Sequence, residues 1–273
     1  MPELPEVETL RRALLPLVKS KTLLQLKFFR KDIRFPIPQQ KLLEELTGKI
    51  ISDITRRGKY LLVHAPTGAM LLHLGMSGRV VRHPSLEPVE KHTHAIFHFE
   101  PDVYLHFIDP RRFGCILWAP NHEGHPLLNH LGLDPLDGET TTPKALKLMA
   151  KNRKAPIKSF LMDSKRITGV GNIYACESLF QAKIKPMRHA GKITLAEWKQ
   201  LIPSLQDILN NSIASGGTTL RDFFSADNTP GYYAVNLSVY GKENQPCPDC
   251  KTPIVRAVHS GRSTFYCKVC QRK

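Results

Sequence analysis

Apolar residues change their spacing twice along the chain. Over residues 2–18, Val7, Leu10, Leu14 and Leu17 recur three and four positions apart, which predicts an amphipathic helix with Pro2 and Pro5 tolerated in its first turn. From Thr22 to Trp118 the pattern shortens into segments rich in aliphatic and aromatic residues: KTLLQLKFF, KIISDITRRGKYLLVHA, GAMLLHLGMSGRVV, HAIFHFEPDVYLHFID and FGCILW. Breaks at Thr67-Gly68 and Pro101-Asp102 mark hairpins, so this half reads as an antiparallel β-sandwich. Residues 134–142, DPLDGETTT, are polar and turn-forming, and Pro143 follows where a helix tolerates proline best.

Helical spacing then dominates in PKALKLMAKN, APIKSFLMD, NIYACESLFQAK and TLAEWKQLIPSLQDILNNSIA, the last stopping at Gly216-Gly217. The resulting division is a sandwich over 1–133, a linker and the start of the helical domain over 134–151, a helical domain over 152–233 and a cysteine-bearing tail over 234–273. The fold class is therefore multidomain α+β. No internal repeat or low-complexity tract is present.

Charge adds a partner to this picture. The chain carries 39 Lys+Arg against 24 Asp+Glu, and residues 151–273 hold 19 basic and 8 acidic groups of that total. Such a concentration of positive charge favours a polyanion, and nucleic acid before others. No run approaches the roughly 18 apolar residues of a membrane span. The start, MPELPEVET, is acidic where a secretory signal would be basic, so a cytoplasmic location and reduced or metal-bound cysteines are expected.

The tail explains four of those cysteines. Cys247 and Cys250 are separated by sixteen residues from Cys267 and Cys270, the spacing of a four-cysteine zinc site around a hairpin. With four thiolates and no open position, one Zn²⁺ would be structural, stapling a segment too small to hold itself. Arg262 falls at the expected hairpin tip, beside Ser260-Gly261, where a cation can hold a phosphate.

The amino terminus offers a different chemistry. Removal of Met1 would leave Pro2 as a secondary amine, roughly a tenth unprotonated at pH 7 and so far more nucleophilic than a lysine. Attack on an aldehyde-level carbon would give an iminium, with Glu3 and Glu6 expected on one helix face for proton transfer. Pro and Glu also suit a first helical turn on backbone grounds alone, so spacing leaves both readings open. The loops His73-Leu-Gly-Met76-Ser-Gly78 and Asp109-Pro-Arg111-Arg112-Phe113-Gly present side chains able to fill a base stack, or are ordinary turns. Gly169-Val-Gly171-Asn172 opens a helix that could face a phosphate, or is a plain cap.

Taken together, PELPEVET, GKYL, HLGMSG, DPRRFG, ITGVGNIYACESLF, GGTTLRDF and the cysteine hairpin resemble the formamidopyrimidine-DNA glycosylase family, which is grouped with endonuclease VIII, along the whole chain. The resemblance implies a β-sandwich, a helix-two-turn-helix domain and a zinc finger, acting as a monomer on double-stranded DNA that contains oxidised purines or abasic sites. It implies that Pro2 attacks C1′, that Glu3 protonates the sugar, that Glu6 supports Glu3, and that Lys59 is a second catalytic lysine. His73, Asn172 and Arg262 match phosphate contacts, and Arg112 falls in the same DNA-binding set. Met76, Arg111 and Phe113 match the residues that fill the gap left by a flipped base. Gly217, Thr218, Thr219 and Arg221 match the loop over the everted purine. Endonuclease VIII relatives begin PEGPE, whereas this chain has PELPE, which puts it on the purine side. Two departures are Cys176, Ser in many relatives and read as a small packed residue, and Ser77, Glu in some. The alternatives are a pyrimidine-preferring lyase and an inactive DNA-binding protein; retention of Pro2, Glu3 and Lys59 speaks against the second.

Overall fold

The computed structural model describes residues 2–217 and 237–272. The first helix, α1 (Leu4–Val18), starts later than the apolar spacing predicts. Glu3 is its N-cap and Glu6 its third residue, and each side chain accepts the other's backbone N–H in a capping box. Glu3 is therefore outside the helix, a correction to the shared face expected from spacing. Pro5 sits in the first turn, where its missing N–H costs no hydrogen bond.

Strand β1 (Leu23–Phe28) and helix α2 (Gln39–Leu46) follow, then strands β2 (Asp53–Arg57), β3 (Tyr60–Ala65), β4 (Gly68–His73), β5 (Arg79–His83), β6 (Thr93–Phe99), β7 (Val103–Ile108) and β8 (Cys115–Ala119). They form two antiparallel sheets, ordered β1-β6-β7-β5 and β2-β3-β4-β8. Val7, Leu10 and Leu14 of α1 join Val63, Met70, Leu72 and Ile116 of one sheet and Phe97, Leu105 and Phe107 of the other in one apolar core. The expected sandwich is thus present, with α1 closing it. Each such buried side chain contributes about 1.5–3 kcal/mol relative to exposure.

Two local features differ from expectation. Helix α2 was hidden because only Leu42 and Leu46 are buried in it, too few to set a period. The segment KIISDITRRGKYLLVHA is two strands, with Arg57 paired to Tyr60 across Gly58 and Lys59. Gly58 supplies the positive φ, +60°, that this tight turn needs. Lys59 consequently projects from a turn.

The helical segments lie where their spacing places them. Helix α3 (Pro143–Met149) is capped by Thr142, whose hydroxyl accepts the Ala145 N–H at 3.2 Å. Helices α4 (Ile157–Met162), α5 (Asn172–Gln181) and α6 (Leu195–Ala214) follow, and α6 runs into Gly216 and Gly217, both at positive φ. Trp198 of α6 is fully buried and meets Phe160 of α4 edge-on at 5.8 Å. Strands β9 (Val255–His259) and β10 (Arg262–Tyr266) form the expected hairpin, turning at Ser260 and Gly261 with φ of 49° and 71°. The chain divides into two compact units. One spans Met1–Asn129 and takes in Ile213 to Gly217; the other spans His130–Ser212 and takes in the described residues from Leu237. No described helix is long and apolar enough to cross a membrane.

Candidate nucleic-acid interface and metal centre

At the amino terminus, Pro2, Glu3 and Glu6 are all buried. The N–H of the peptide that joins Pro2 to Glu3 donates to Glu6 Oε2 at 2.8 Å. Glu6 thereby fixes the residue whose nitrogen would become the terminal amine. Gly217, at φ +84°, packs against the same glutamate, and a Cβ there would lie 3.4 Å from Glu6 Cγ. Of the expected lesion-loop residues, Thr218, Thr219 and Arg221 lie outside the described residues.

A second glutamate of α1 ties the helix to the turn carrying Lys59. Glu8 pairs with Arg11 at 2.8 Å, Arg12 at 2.9 Å and Arg56 at 3.1 Å. Arg56 also donates to the Gly58 carbonyl at 3.1 Å, one residue before Lys59. Burial alone would raise the Glu8 carboxyl, yet the hydrogen bonds from Arg11 and Arg12 and the charges of Arg11 and Arg56 hold it at about 2. Sequence reasoning missed this link, because Glu8 and Arg56 are far apart in the chain and each reads singly as a surface charge.

His73 ends β4 opposite Tyr60, with ring centroids 4.7 Å apart. Its Nδ1 accepts the Gly75 N–H at 2.9 Å, which leaves the proton on Nε2. Burial, with the nearby charges of Arg34 and Lys59, pushes the imidazole down to about 4. At neutral pH His73 is therefore an uncharged N–H donor. Arg34, His73, Gly75, Met76 and Phe113 line one cavity of about 420 Å³. Arg34 lies in no motif; its backbone N–H reaches the Gly114 carbonyl at 3.3 Å, and that long-range bond brings it to the loops. Arg111, Arg112 and Phe113 are exposed, and the Arg111 guanidinium lies 4.9 Å above the Phe113 ring.

In the second unit, Asn172 opens α5 and its amide donates to the Ser263 carbonyl at 2.9 Å, next to Arg262. Buried Lys158 donates to the same carbonyl at 2.9 Å and to Thr264 Oγ1 at 2.7 Å. Asn172 and Lys158 thus hold the strand that presents the exposed Arg262. Arg262 itself borders a cavity of about 230 Å³ with Lys158, Ser159 and His259.

The four tail cysteines bring their Sγ atoms within 4.8 Å of one another. Bonds of about 2.3 Å in a tetrahedral Zn–S site require edges of about 3.8 Å. The Cys247–Cys270 and Cys250–Cys267 separations, 3.9 Å and 3.4 Å, bracket that value and are too long for disulfides. Cys267 Sγ also accepts the Cys270 N–H at 3.4 Å, the kind of outer bond that steadies a thiolate ligand. The set fits one structural zinc ion. Cys176 packs in the apolar cluster beneath it with Phe180, Ile254 and Phe265, and the four-cysteine group does not include it.

Three family descriptions match the chain in order: the formamidopyrimidine-DNA glycosylase N-terminal domain over residues 1–116, the formamidopyrimidine-DNA glycosylase H2TH domain over 131–224, and a zinc finger found in FPG and IleRS over 244–272. A formamidopyrimidine-DNA glycosylase of Stenotrophomonas maltophilia is 45% identical over 272 residues, covering 100% of both chains. Among solved structures, a complex of a Lactococcus lactis FPG mutant with a Fapy-dG containing DNA aligns at TM-score 0.90 and 32% identity over 100% of both chains. The Lactococcus lactis Fpg with an abasic site containing DNA aligns at TM-score 0.90 and 31% identity, over 99% of this chain and 100% of that one.

Proposed function

The chain belongs to the formamidopyrimidine-DNA glycosylase family, and from that premise we propose that it excises oxidised purines, 8-oxoguanine and formamidopyrimidines, from duplex DNA and then nicks the abasic site. The observation that carries this reading is the N-terminal box. A capping box common to many helices is here built from Glu3 and Glu6 around the peptide that follows Pro2. It holds the future amine beside two buried carboxyl groups.

Once Met1 is removed, the Pro2 nitrogen attacks C1′ of the damaged nucleotide. The C1′–N bond breaks and the base leaves with its electron pair, taking up the proton that the Pro2 nitrogen sheds. Glu3 then delivers a proton to the ring oxygen as the C1′–O bond breaks and the Pro2 nitrogen lone pair forms the iminium. The resulting iminium withdraws electrons from C1′ and acidifies the C2′–H, so β-elimination expels the 3′ phosphate and δ-elimination the 5′ phosphate. The two eliminations leave a one-nucleotide gap, and hydrolysis of the iminium releases the sugar fragment and returns the amine. Lys59, on its clamped turn, sits near His73 and acts with it at the flipped nucleotide's phosphate. Asn172 and Arg262 serve as phosphate anchors from the second unit, and Met76, Arg111 and Phe113 fill the vacated stack. The 1–133, 134–151, 152–233 and 234–273 division, the monomeric state and a cytoplasmic, nucleoid-associated location belong to the same proposal.

A lesion panel tests it. Single-turnover excision should be fast for 8-oxoguanine and formamidopyrimidine opposite C, and slow for oxidised pyrimidines. The reverse order would make the chain a pyrimidine-preferring lyase on this fold; binding without any excision would make it an inactive DNA-binding protein.

A further inference from the structure

Asp109 opens the DPRRFG loop, and its side chain is completely buried. Its Oδ1 accepts the Ser77 hydroxyl at 2.8 Å and the Arg111 N–H at 3.3 Å, while Oδ2 accepts the Gly114 N–H at 2.8 Å. Ser77 belongs to the other loop, immediately after Met76. One carboxylate therefore bridges both loops that carry the gap-filling side chains. The loop backbones also interlock. A Cβ on Gly75 would lie 2.3 Å from the Phe113 carbonyl carbon, and one on Gly114 would lie 2.6 Å from the His73 carbonyl oxygen. Behind them, buried His94 meets the Asp109 carbonyl through Nε2 at 2.8 Å.

We propose that Asp109 is a positioning residue that locks Met76, Arg111 and Phe113 into one rigid wedge, so that it governs extrusion of the damaged base and not the chemistry at C1′. The inference rests on the wedge assignment in the proposed function. Filling a vacated stack repays lost stacking only if the inserted groups arrive together and already ordered; loops moving separately would pay that ordering at each opening. The Asp109 bonds supply the order. They fix the Arg111 backbone on one side and Gly114 on the other, with Phe113 held between.

Asp109→Asn separates the possibilities. The amide keeps the shape but offers one acceptor oxygen: turned one way it orphans the buried Gly114 N–H, and turned the other it gives up the Arg111 N–H, which keeps only the Ser77 hydroxyl oxygen at 3.2 Å. Single-turnover excision of 8-oxoguanine opposite C should fall about tenfold, the size of one orphaned buried donor. Cleavage of a preformed abasic site, where no damaged base is extruded, should stay within about twofold by the same reasoning. Any preference for C over A opposite the lesion, which Arg111 would sense, should shrink as well. Ser77→Ala removes the strut between loops and the 3.2 Å bond from the Arg111 N–H to the Ser77 hydroxyl oxygen but leaves Asp109 on both Arg111 and Gly114. It should shift the excision-to-abasic ratio in the same direction by a smaller factor, and it covers the case in which Asp109→Asn fails to fold. Equal losses on both substrates, or a wild-type ratio in Ser77→Ala, would overturn the inference. Failure of the unmodified protein to cleave abasic-site DNA would instead overturn the function on which it rests.

Discussion

At the residue scale, chemistry turns on protons that spacing cannot locate. His73 resembles a phosphate ligand, and a cation would be the simple guess; its bond from Gly75 and its surroundings make it a neutral donor. In an NMR titration of the free protein, His73 should remain the Nε2–H tautomer through 6.5 and titrate at about 4. A midpoint near 6.5 would contradict the assignment. Glu8 titrates in the opposite sense. Its carboxyl falls from 4.5 to about 2 on folding, so its stabilisation is complete above 4.5 and is lost as pH falls toward 2. Glu8→Gln should therefore flatten melting temperature against pH in that window and cost about 3 kcal/mol at neutral pH, the order seen when one partner of a buried ion pair is removed. An unchanged pH profile would remove Glu8 from its place between α1 and the Lys59 turn. Residue chemistry pointed to Pro2 and Glu3, and the resemblance carried by GKYL pointed to Lys59. Arg34, Arg56 and Asp109 drew no role from the sequence, since what each does depends on partners brought near by folding.

The elements follow a similar division. Long helices and alternating strands were legible because burial repeats along them, as with Leu10 and Leu14 or the two halves of the β6–β7 hairpin. Short elements were not: α2 buries two leucines, and the β2–β3 turn hides inside a run of strand formers. The β9–β10 hairpin was readable because metal spacing, not apolar area, defines it. Its stability should follow the metal accordingly. Chelation should expose the amides of Val255–His259 and Arg262–Tyr266 to hydrogen exchange while β3 and β4 keep their protection. A hairpin that stays protected after zinc is removed would show that Lys158 and Asn172 suffice to hold it.

Across the whole molecule, 39 basic against 24 acidic residues suit a polyanion, and the proposed phosphate anchors, Asn172 and Arg262, would turn that charge into register. Arg262→Ala should weaken damaged and undamaged duplex alike and reduce the salt slope of binding by about one unit. An unchanged slope would mean that Arg262 contacts no phosphate. Asn172→Ala should weaken both as well, through loss of its bond to the Ser263 carbonyl beside Arg262. The proposed function turns on one bond, between the nitrogen of Pro2 and C1′ of a damaged nucleotide. Borohydride added during reaction with duplex DNA containing 8-oxoguanine reduces such an iminium to a stable crosslink. Peptide mapping of that crosslink should place the DNA on a chain that begins at Pro2, with Met1 absent. A crosslink found only at Lys59, or efficient turnover by protein that retains Met1, would contradict it.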